Sequence, residues 1–356
     1  VQTCALPICG KGSCAMANFI DYRSDTVTLP TKAMLEAIMN APLGDDVKNE
    51  DPSVNRLQEM AAEMMGKEAA LLVTSGTAGN LTAIASHTQK GDEVIMEANA
   101  HIFTSEAGGI AAVANCMPHL IPGDKGALDP DDVKKAIRDK NNEHHPRTSL
   151  ICLENTHNGA GGTVISIEQM KAIKEVAAEH GLKVHLDGAR IFNAAIALGV
   201  EAKEIAAQAD SVTFCLSKGL SCPVGAVLCG TKEFIAKARR VRKVLGGGMR
   251  QAGIIAAPGI VALQTMIDRL ADDHANARVL AEALVELPDV ELDLSTVQTN
   301  IIRFKVKSGA AAFVDKLAAK NILVHQVSES AIRMVTHRHI SRDDVLYTID
   351  VLKSLS

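Results

Sequence analysis

The sequence predicts an α/β protein in which a large domain with a mainly parallel sheet is followed by a smaller α+β domain. From residue 69 onward, short apolar runs alternate with segments of helical periodicity, as in β-α units. The runs are apolar on both faces, which is typical of a sheet covered by helices on both sides. From about residue 246 two long helical stretches replace this alternation, and 356 residues exceed the usual size of one core.

The first β-α unit contains a glycine turn. Residues 69–73 form an apolar run, Ser75-Gly76-Thr77 follows, and Leu81 and Ile84 continue at helical spacing. The amides that begin such a helix can bind a phosphate, although many glycine-rich turns bind nothing. The chain contains no G-x-G-x-x-G and no G-x-x-x-x-G-K-[ST], so a dinucleotide or Walker-type nucleotide site is not favoured.

The next β-α units place a carboxylate at a strand end. Further apolar runs predict strands at 93–96, 150–154, 183–186, 211–216 and 224–229. Ser166 and Gln169 form a capping box that begins a helix, and Gly181 ends it. Asp187 therefore lies at the carboxyl end of a strand, where ligands bind in open α/β sheets.

The two ends of the chain differ from the middle. Helical stretches through Ala271 and Leu287 precede strands at 300–306 and 331–336 and a last helix, so we predict domains at 16–250 and 251–356. Residues 1–15 have no periodicity and carry three evenly spaced cysteines. Our hypothesis is that they are a non-native extension, encoded by adapter sequence, ahead of a start at Met16. The alternative is a disordered native tail.

Charge and cysteine content narrow the class of function. The 37 basic and 42 acidic side chains give a net charge of −5, which does not favour nucleic acid or anionic membranes as partners. No apolar run approaches the ~20 residues that span a bilayer. The eight cysteines include no C-x-x-C pair, and five lie in or beside apolar stretches, so reduced core thiols and a cytoplasmic location are predicted. Chemistry on a small molecule is the better expectation.

Two motifs offer groups for such chemistry. Lys218, in Ser217-Lys218-Gly219, follows a predicted strand, and in a partly dry site its amine can form a Schiff base with an aldehyde. Taken alone, it is more often a surface lysine. Asp187 can keep a pyridine nitrogen protonated, and Arg190 can pair with a phenolic oxygen or a substrate carboxylate. Alternatively, these two residues form a plain salt bridge within their loop.

Two further regions are ambiguous. The cluster Gly246-Gly-Gly-Met-Arg250 follows a basic helix that contains Arg239, Arg240, Arg242 and Lys243. This helix is either a solvated basic face or a phosphate contact across a subunit boundary. His101 follows the strand at 93–96, and its imidazole can stack on a flat cofactor and exchange protons near neutral pH. A lone loop histidine is more often polar surface.

Taken together, these motifs resemble the L-threonine aldolase family of fold-type I pyridoxal-phosphate (PLP) enzymes, whose large domain is similar to that of aspartate aminotransferase. The resemblance extends from about Phe19 to the C-terminus, and nine stretches in this order make it specific. They are Arg23-Ser-Asp-Thr-Val-Thr28, Gly44-Asp-Asp-Val47, Ser75-Gly-Thr77, His101, Glu154-Asn-Thr-His-Asn-Gly159, Asp187-Gly-Ala-Arg190, Leu216-Ser-Lys-Gly219, Gly246-Gly-Gly-Met-Arg-Gln251 and Ile332-Arg-Met-Val-Thr-His337.

The resemblance implies a role for each residue around the cofactor. Lys218 is the Schiff-base lysine, Asp187 faces the ring nitrogen, and His101 stacks on the ring. The cofactor phosphate is bound by Ser75, Gly76 and Thr77. The substrate carboxylate is bound by Ser24, Arg190 and Arg333, and Arg190 also lies near the cofactor.

The resemblance also implies an assembly. Lys243 and Arg250 are similar to basic residues that the neighbouring subunit offers near the cofactor, and His144 resembles a loop histidine that reaches the substrate hydroxyl from another chain. A homodimer at least, commonly a dimer of dimers, is thus expected. No metal is needed for the chemistry, although Thr26, Thr28 and Ser217 resemble a structural cation position in some relatives.

The implied reaction is cleavage of L-threonine, L-allo-threonine and related β-hydroxy-α-amino acids to glycine and an aldehyde. His101, or His144 through water, is the implied base for the hydroxyl proton. Two positions depart from the family pattern: Lys48-Asn49 stands where many relatives have Tyr-Gly, and Ser105 stands where many have an aromatic residue. Our hypothesis is that Ser105 leaves a roomier pocket, which accepts bulkier side chains such as that of phenylserine.

Three other functions compete with this interpretation. Another fold-type I activity, such as β-elimination or glycine hydroxymethyl transfer, would use the same Lys218 and Asp187. Nucleic-acid binding through the helix at 232–243 is disfavoured by the negative net charge. A metal hydrolase built on His144, His145, His185 and Asp187 lacks the H-E-x-x-H spacing and leaves Lys218 unexplained.

Overall fold

A computed structural model describes residues 19–354, so the hypothesis on residues 1–15 lies outside the described residues. The strands in chain order are β1 (Ile20–Asp21), β2 (Ala69–Val73), β3 (Glu93–Glu97), β4 (Met117–Ile121), β5 (Gly123–Asp124), β6 (Ala127–Leu128), β7 (Thr148–Glu154), β8 (Lys183–Asp187), β9 (Ser211–Cys215), β10 (Ala226–Gly230), β11 (Val290–Glu291), β12 (Ile301–Val306), β13 (Ile322–Leu323), β14 (His325–Gln326) and β15 (Ala331–Val335).

The α-helices lie between these strands, and short 3₁₀ turns occur at 25–27, 46–48 and 294–296. The helices are α1 (Lys32–Met39), α2 (Pro52–Met64), α3 (Gly76–His87), α4 (His101–Thr104), α5 (Gly109–Ala112), α6 (Pro130–Ala136), α7 (Ile167–His180), α8 (Ile191–Leu198), α9 (Ala202–Ala206), α10 (Lys232–Val244), α11 (Gly253–Thr265), α12 (Leu270–Val285), α13 (Ala310–Ala318) and α14 (Arg342–Ser354).

The central sheet has seven strands in the order β2-β10-β9-β8-β7-β3-β4. Only β10 runs antiparallel to its neighbours, and the other pairs are parallel, so the predicted mainly parallel sheet is confirmed. The predicted strands all form, within two residues at each end. Strand β4 was not predicted. It lies at the sheet edge, is only partly buried and contains Pro118, which an edge strand tolerates.

Both faces of this sheet are buried, which explains the continuous apolar runs. In β2, Leu72 packs in the same core as Leu57 of α2, whereas Leu71 and Val73 pack on the other face with Phe234 of α10. Successive side chains of a strand point to opposite faces, so both sets of positions must be apolar.

Capping residues set the limits of the helices around the sheet. Ser75 begins α3, because its Oγ accepts the N–H of Ala78 at 3.1 Å. The capping box of Ser166 and Gln169 begins α7, and Gly181 ends it at a φ of 70°, as predicted. These capping residues therefore fix where the helices begin and end relative to the strands that precede and follow them.

A second core forms around the four-stranded antiparallel sheet β11-β12-β15-β14. It contains Phe304 of β12 and Leu280 of α12, and Tyr22 joins it from the start of the described chain. The sequence predicted two helical stretches, one through Ala271 and another through Leu287, and two helices form there, although α11 already ends at Thr265. They meet at 70°, because α11 and Leu270 pack in the first core and α12 continues into the second. The predicted domain limits at 16–250 and 251–356 stay a prediction.

No single helix within residues 19–354 has the length and apolar content to cross a bilayer. Only α11 and α12 together, as a bent pair, reach that length and composition.

Candidate active site

The carboxyl ends of the central parallel strands bring buried polar side chains together. Asp187 ends β8 and is paired in register with Glu154, which ends β7. Asp187 is 2% exposed, its Oδ1 accepts the N–H of Ala189 at 3.0 Å, and its Oδ2 accepts the amide of Asn80 at 2.8 Å. The carboxylate predicted to face a ring nitrogen is thus held at a fixed orientation by two donors.

His101 lies beside this carboxylate. Its Nδ1 is 3.1 Å from Oε1 of the buried Glu106, and its backbone N–H donates to Oε2 of Glu154 at 2.7 Å. The nearest ligand atoms of His101, Glu106 and Asp187 all lie within 4.8 Å of one another. The hydrogen bond to Glu106 raises the pKa of His101 and outweighs burial, which lowers it. The imidazole is therefore biased toward its charged form.

Glu154 is buried where β7 ends, and it organises the loop that follows. Its Oε1 accepts the N–H of Asn158 at 2.8 Å, and its other oxygen holds His101. Burial raises the pKa of Glu154, and the charge of Asp187 adds to this effect, while His157 opposes it. The sequence placed Glu154 in a motif but gave it no role.

Lys218 lies three residues after β9, in a turn that the N-terminal segment supports. Lys218 is half-buried, and its backbone carbonyl accepts a hydrogen bond from the Oγ1 hydroxyl of Thr28 at 2.8 Å. Burial raises the pKa of Cys215, and the positive charge of Lys218 opposes that rise; the same charge adds to the effect of Arg190 in lowering the pKa of Asp25. The predicted lysine therefore lies half-buried at the edge of the sheet where β8 and β9 end.

The turn Ser75-Gly76-Thr77 approaches the same strand ends. A Cβ at Gly76 would lie 2.8 Å from Sγ of Cys215, the last residue of β9, so only glycine permits this approach. The first amides of α3 have no intrahelical partner, and Ser75 is exposed while Gly76 and Thr77 are half-buried. This helix terminus is accessible to an anion.

Arg190 forms a buried pair that the sequence did not predict. Its Nε and Nη2 each donate to Asp25, both at 2.7 Å, and the two side chains are 6% and 0% exposed. Burial would raise the pKa of Asp25, but the Arg190 guanidinium outweighs it and holds that pKa well below its usual range. The alternative of a salt bridge between Asp187 and Arg190 is wrong, since Arg190 pairs with Asp25.

Arg333 and Ser24 lie near this pair. Arg333, on β15, donates to Oδ1 of Asn158 at 3.2 Å and to the carbonyl of Arg23 at 3.1 Å. Burial and the positive charge of Arg190 lower the pKa of Arg333. Ser24 Oγ accepts the N–H of Thr26 at 3.2 Å. The structure thus brings the three predicted carboxylate-binding residues to one region.

Four predicted site residues are exposed instead. Ser105 and His144 make only local hydrogen bonds, to Thr104 at 3.2 Å and to Asn142 at 3.0 Å. Lys243 is exposed at the end of α10, and Arg250 pairs with Asp45 at 3.1 Å. Within this one chain they take no part in the cluster, so their predicted roles rest on a second subunit.

The basic helix α10 is not a solvated face throughout. Arg242 is 4% exposed and donates to Oδ2 of Asp46 and to the carbonyl of Leu72, both at 2.7 Å. Arg239 also contacts Asp46. The interpretation of α10 as a uniformly solvated basic face is therefore wrong, because part of it is neutralised by a buried carboxylate.

Two other hypotheses involve a metal ion: the metal-hydrolase alternative and the structural cation position. The metal-hydrolase alternative grouped His144, His145, His185 and Asp187, but the one cluster of possible metal ligands within residues 19–354 is that of His101, Glu106 and Asp187. Around the suggested cation position, Thr28 Oγ1 donates to the carbonyl of Asp25 at 3.0 Å as well as to Lys218, and Thr26 donates to Ser24 at 2.9 Å.

Comparisons with known proteins agree on one family. The model of the family described as "Beta-eliminating lyase" matches residues 21–307. The chain is 45% identical over 337 residues to a low-specificity L-threonine aldolase of Arabidopsis thaliana, covering 93% of this chain and 94% of that protein. It is 45% identical over 328 residues to the low specificity L-threonine aldolase of Escherichia coli K12, with 92% and 96% covered.

Solved structures support the fold. The threonine aldolase of Leishmania major superposes with a TM-score of 0.81 at 20% identity and covers 94% of this chain and 99% of that chain. A putative L-allo-threonine aldolase of Listeria monocytogenes superposes with a TM-score of 0.78 at 21% identity and covers 90% and 92%. Together with the sequence identities, these findings confirm the predicted family: the chain belongs to the low-specificity L-threonine aldolases, within the beta-eliminating lyase family.

Proposed function

We propose that the chain binds PLP and cleaves L-threonine, L-allo-threonine and related β-hydroxy-α-amino acids such as phenylserine to glycine and an aldehyde. The observation that supports this most directly is the cluster of the buried Asp187 with His101 at the strand ends, together with a half-buried Lys218 three residues after β9, the strand next to that of Asp187. The relatives are named threonine aldolases, so β-elimination and glycine hydroxymethyl transfer are not favoured.

The donor set of the site fits PLP. Lys218 offers an amine, the open start of α3 offers free amides for a phosphate, and Asp187 offers a carboxylate that is already oriented. Oε2 of Glu106 is buried without a hydrogen-bond partner among the described residues, directly beside His101. When it is bound, PLP supplies an aldehyde that reacts with amines and a ring that accepts the electrons released at Cα.

The residues of the chain would position the substrate and hold protons. Arg333 and Ser24 would bind the substrate carboxylate, and Arg190, fixed by Asp25, would present its remaining N–H groups to it. This grip orients the bond between Cα and Cβ, which is the bond that must break. Asp187, held by Asn80 and Ala189, would stabilise a proton on the ring nitrogen.

The proton of the substrate hydroxyl requires a base. His101 is a poor base here, because the hydrogen bond that it donates to Glu106 raises its pKa and favours the charged form, which has no free lone pair. We therefore assign proton removal to His144 of a second subunit, acting through water, and assign to His101 the role of a cation beside the ring. Only an assembly that brings the exposed His144 to the site can make this step.

The proposed assembly is a homodimer or a dimer of dimers in the cytoplasm. The exposed Lys243 and Arg250 support it, since basic residues with no role in their own site can complete that of a neighbour. Five buried cysteines are free thiols, which supports a reducing compartment: Cys116, Cys152, Cys215, Cys222 and Cys229.

The test is aldehyde release from L-threonine and from L-allo-threonine by PLP-loaded protein. Lys218→Ala should abolish the release, whereas Lys203→Ala, which removes an exposed lysine paired with Glu201, should retain it. Both variants should unfold like the wild type. Release that persists in Lys218→Ala would refute the role of this lysine. Pyruvate formation, or release that requires tetrahydrofolate, would support the competing PLP reactions.

A further inference from the structure

A chain of buried hydrogen bonds connects Asp187, at the carboxyl end of β8, to His87, at the last residue of α3. It begins at Asn80, which is 1% exposed on α3. The amide nitrogen of Asn80 lies 2.8 Å from Oδ2 of Asp187 and 2.8 Å from Oε1 of Glu106. Because each carboxylate accepts a hydrogen bond, the amide nitrogen of Asn80 donates one hydrogen to each of them. The amide oxygen Oδ1 can only accept a hydrogen bond.

The partner of that oxygen is His185, which is fully buried on β8 two residues before Asp187. Nε2 of His185 lies 3.1 Å from Oδ1 of Asn80, and Nδ1 lies 2.9 Å from Oγ of Ser211. Since Oδ1 cannot donate, Nε2 must carry the hydrogen. Burial lowers the pKa of His185 to about 4, so the ring is neutral and its Nδ1 accepts the hydroxyl hydrogen of Ser211.

The last member is His87, at the end of α3. Its Nε2 lies 2.8 Å from Oγ of Ser211, and because the hydrogen of Ser211 points to His185, His87 must donate. The ring of His87 stacks on Phe234 at 4.3 Å and forms part of the wall of a cavity of about 270 Å³. Burial lowers the pKa of His87 to about 3, so this ring is neutral as well.

We propose that Asn80 is a positioning residue for Asp187, and that His87, Ser211 and His185 form a one-directional hydrogen-bond chain that holds its amide in this orientation. If Asn80 turned over, its oxygen would face two carboxylates, and its nitrogen would face the donor Nε2 of His185. The chain thus keeps Asp187 oriented toward the proposed ring nitrogen. This inference rests on the proposed function for the identity of the group that Asp187 faces.

Ser211 is the informative position, because it is remote from the cofactor site and its hydroxyl supports, at Nδ1 of His185, the tautomer that Oδ1 of Asn80 requires at Nε2. Without that hydroxyl, Ser211→Ala should admit a minor tautomer with hydrogen on Nδ1, which would present a lone pair to Oδ1 of Asn80. We expect the dissociation constant of PLP to rise by roughly three- to tenfold, the effect of one lost hydrogen bond.

The experiment measures the tautomer of His185 by nitrogen NMR in protein without cofactor, and PLP affinity by titration. The wild type should show hydrogen on Nε2 only, and Ser211→Ala should show a mixture and weaker binding. Ser86→Ala is the matched control, because Ser86 is buried on the same helix and donates only to the carbonyl of Thr82 at 2.6 Å. Ser211→Thr keeps the hydroxyl and should restore both properties.

Each outcome decides one of the two proposals. An unchanged tautomer and an unchanged PLP affinity in Ser211→Ala would overturn the chain, and so would a loss of affinity that Ser86→Ala reproduces. A wild-type protein that does not bind PLP would refute the proposed function instead, and the tautomer of His185 would still decide whether the chain exists.

Discussion

The inner and the outer parts of the candidate active site are built in different ways. The inner part consists of buried groups that hold one another, such as Asp187 with Asn80 and Asp25 with Arg190. The outer part consists of exposed residues with local partners only, such as His144 and Arg250. The buried part of the site is therefore complete within one chain, whereas the roles predicted for the exposed His144, Lys243 and Arg250 depend on a second subunit.

The largest expected difference between the two parts is in stability. Asp25→Asn leaves the buried Arg190 without its counter-charge and should lower the free energy of unfolding by about 3–5 kcal/mol. Arg250→Ala removes an ion pair whose arginine side chain is 60% exposed, and it should cost no more than about 1 kcal/mol. Urea unfolding measures both values, and similar losses would contradict the comparison.

The same inner pair predicts a pH dependence. The folded pKa of Asp25 lies below its unfolded value, so its stabilising effect is present above the unfolded pKa of about 4 and is lost as the pH falls toward the folded value. Asp25→Asn has no such group. The difference in unfolding free energy between wild type and variant should therefore shrink below about pH 4, and a constant difference would show that Arg190 does not depend on this charge.

The next effect is on activity and concerns the outer part. If Arg250 acts in the site of the neighbouring subunit, Arg250→Ala should lose activity while its stability is kept. Mixed oligomers of Arg250→Ala and Lys218→Ala should then be more active than the sum of the two variants, because one of their sites contains both native residues. Activity equal to that sum would place Arg250 in the site of its own chain or in no site.

The fold could be predicted from sequence because its signals are local. Each buried strand is a short apolar run, and residues such as Ser75, Ser166 and Gly181 mark where helices begin or end. The features that the sequence did not predict depend on contacts between residues that are far apart in the sequence. The edge strand β4 carries no continuous apolar run, and the bend between α11 and α12 is set by two cores that the chain joins.

The candidate site divides in the same way. Lys218, Asp187 and His101 could be selected because their side chains have distinctive chemistry and follow predicted strands. Asn80 and Asp25 could not be selected, because their partners, Asp187 and Arg190, lie 107 and 165 residues away in the sequence. The residue types around them carry no signal that either side chain is buried. The signal that could have found Asp25 is its place in the stretch Arg23 to Thr28, which the resemblance already included.

A smaller effect concerns the charge on His101, where the inner part meets the outer one. Glu106→Gln removes the carboxylate that raises the pKa of His101, while Asp187 and Glu154 remain near it. The pKa of His101 should fall in the variant, as proton NMR of the imidazole measures. In the wild type, the stabilisation from this pair is complete below the unfolded pKa of about 6.5 and is lost as the pH rises through the raised folded value.

The outcome that would contradict this assignment is an unchanged or higher pKa of His101 in Glu106→Gln. Asn80 contacts the same oxygen of Glu106, so the substitution is best compared with a change at an exposed acid. Glu36→Gln, on α1, removes a carboxylate that pairs only with Lys32 at 3.6 Å and should leave the pKa of His101 as it is.

The smallest expected effect is on substrate preference and tests the outer part alone. Ser105 is exposed and its hydroxyl bonds only to that of Thr104, so Ser105→Phe should leave the buried network and the stability unchanged. An aromatic ring there would fill space that we assign to the substrate side chain. Turnover of phenylserine relative to L-threonine should stay equal or fall, by about tenfold at most for a contact of this size, as steady-state kinetics on both substrates would measure. A clear gain for phenylserine would mean that the ring provides a favourable surface for the substrate, and the pocket at Ser105 would then not be the roomier one.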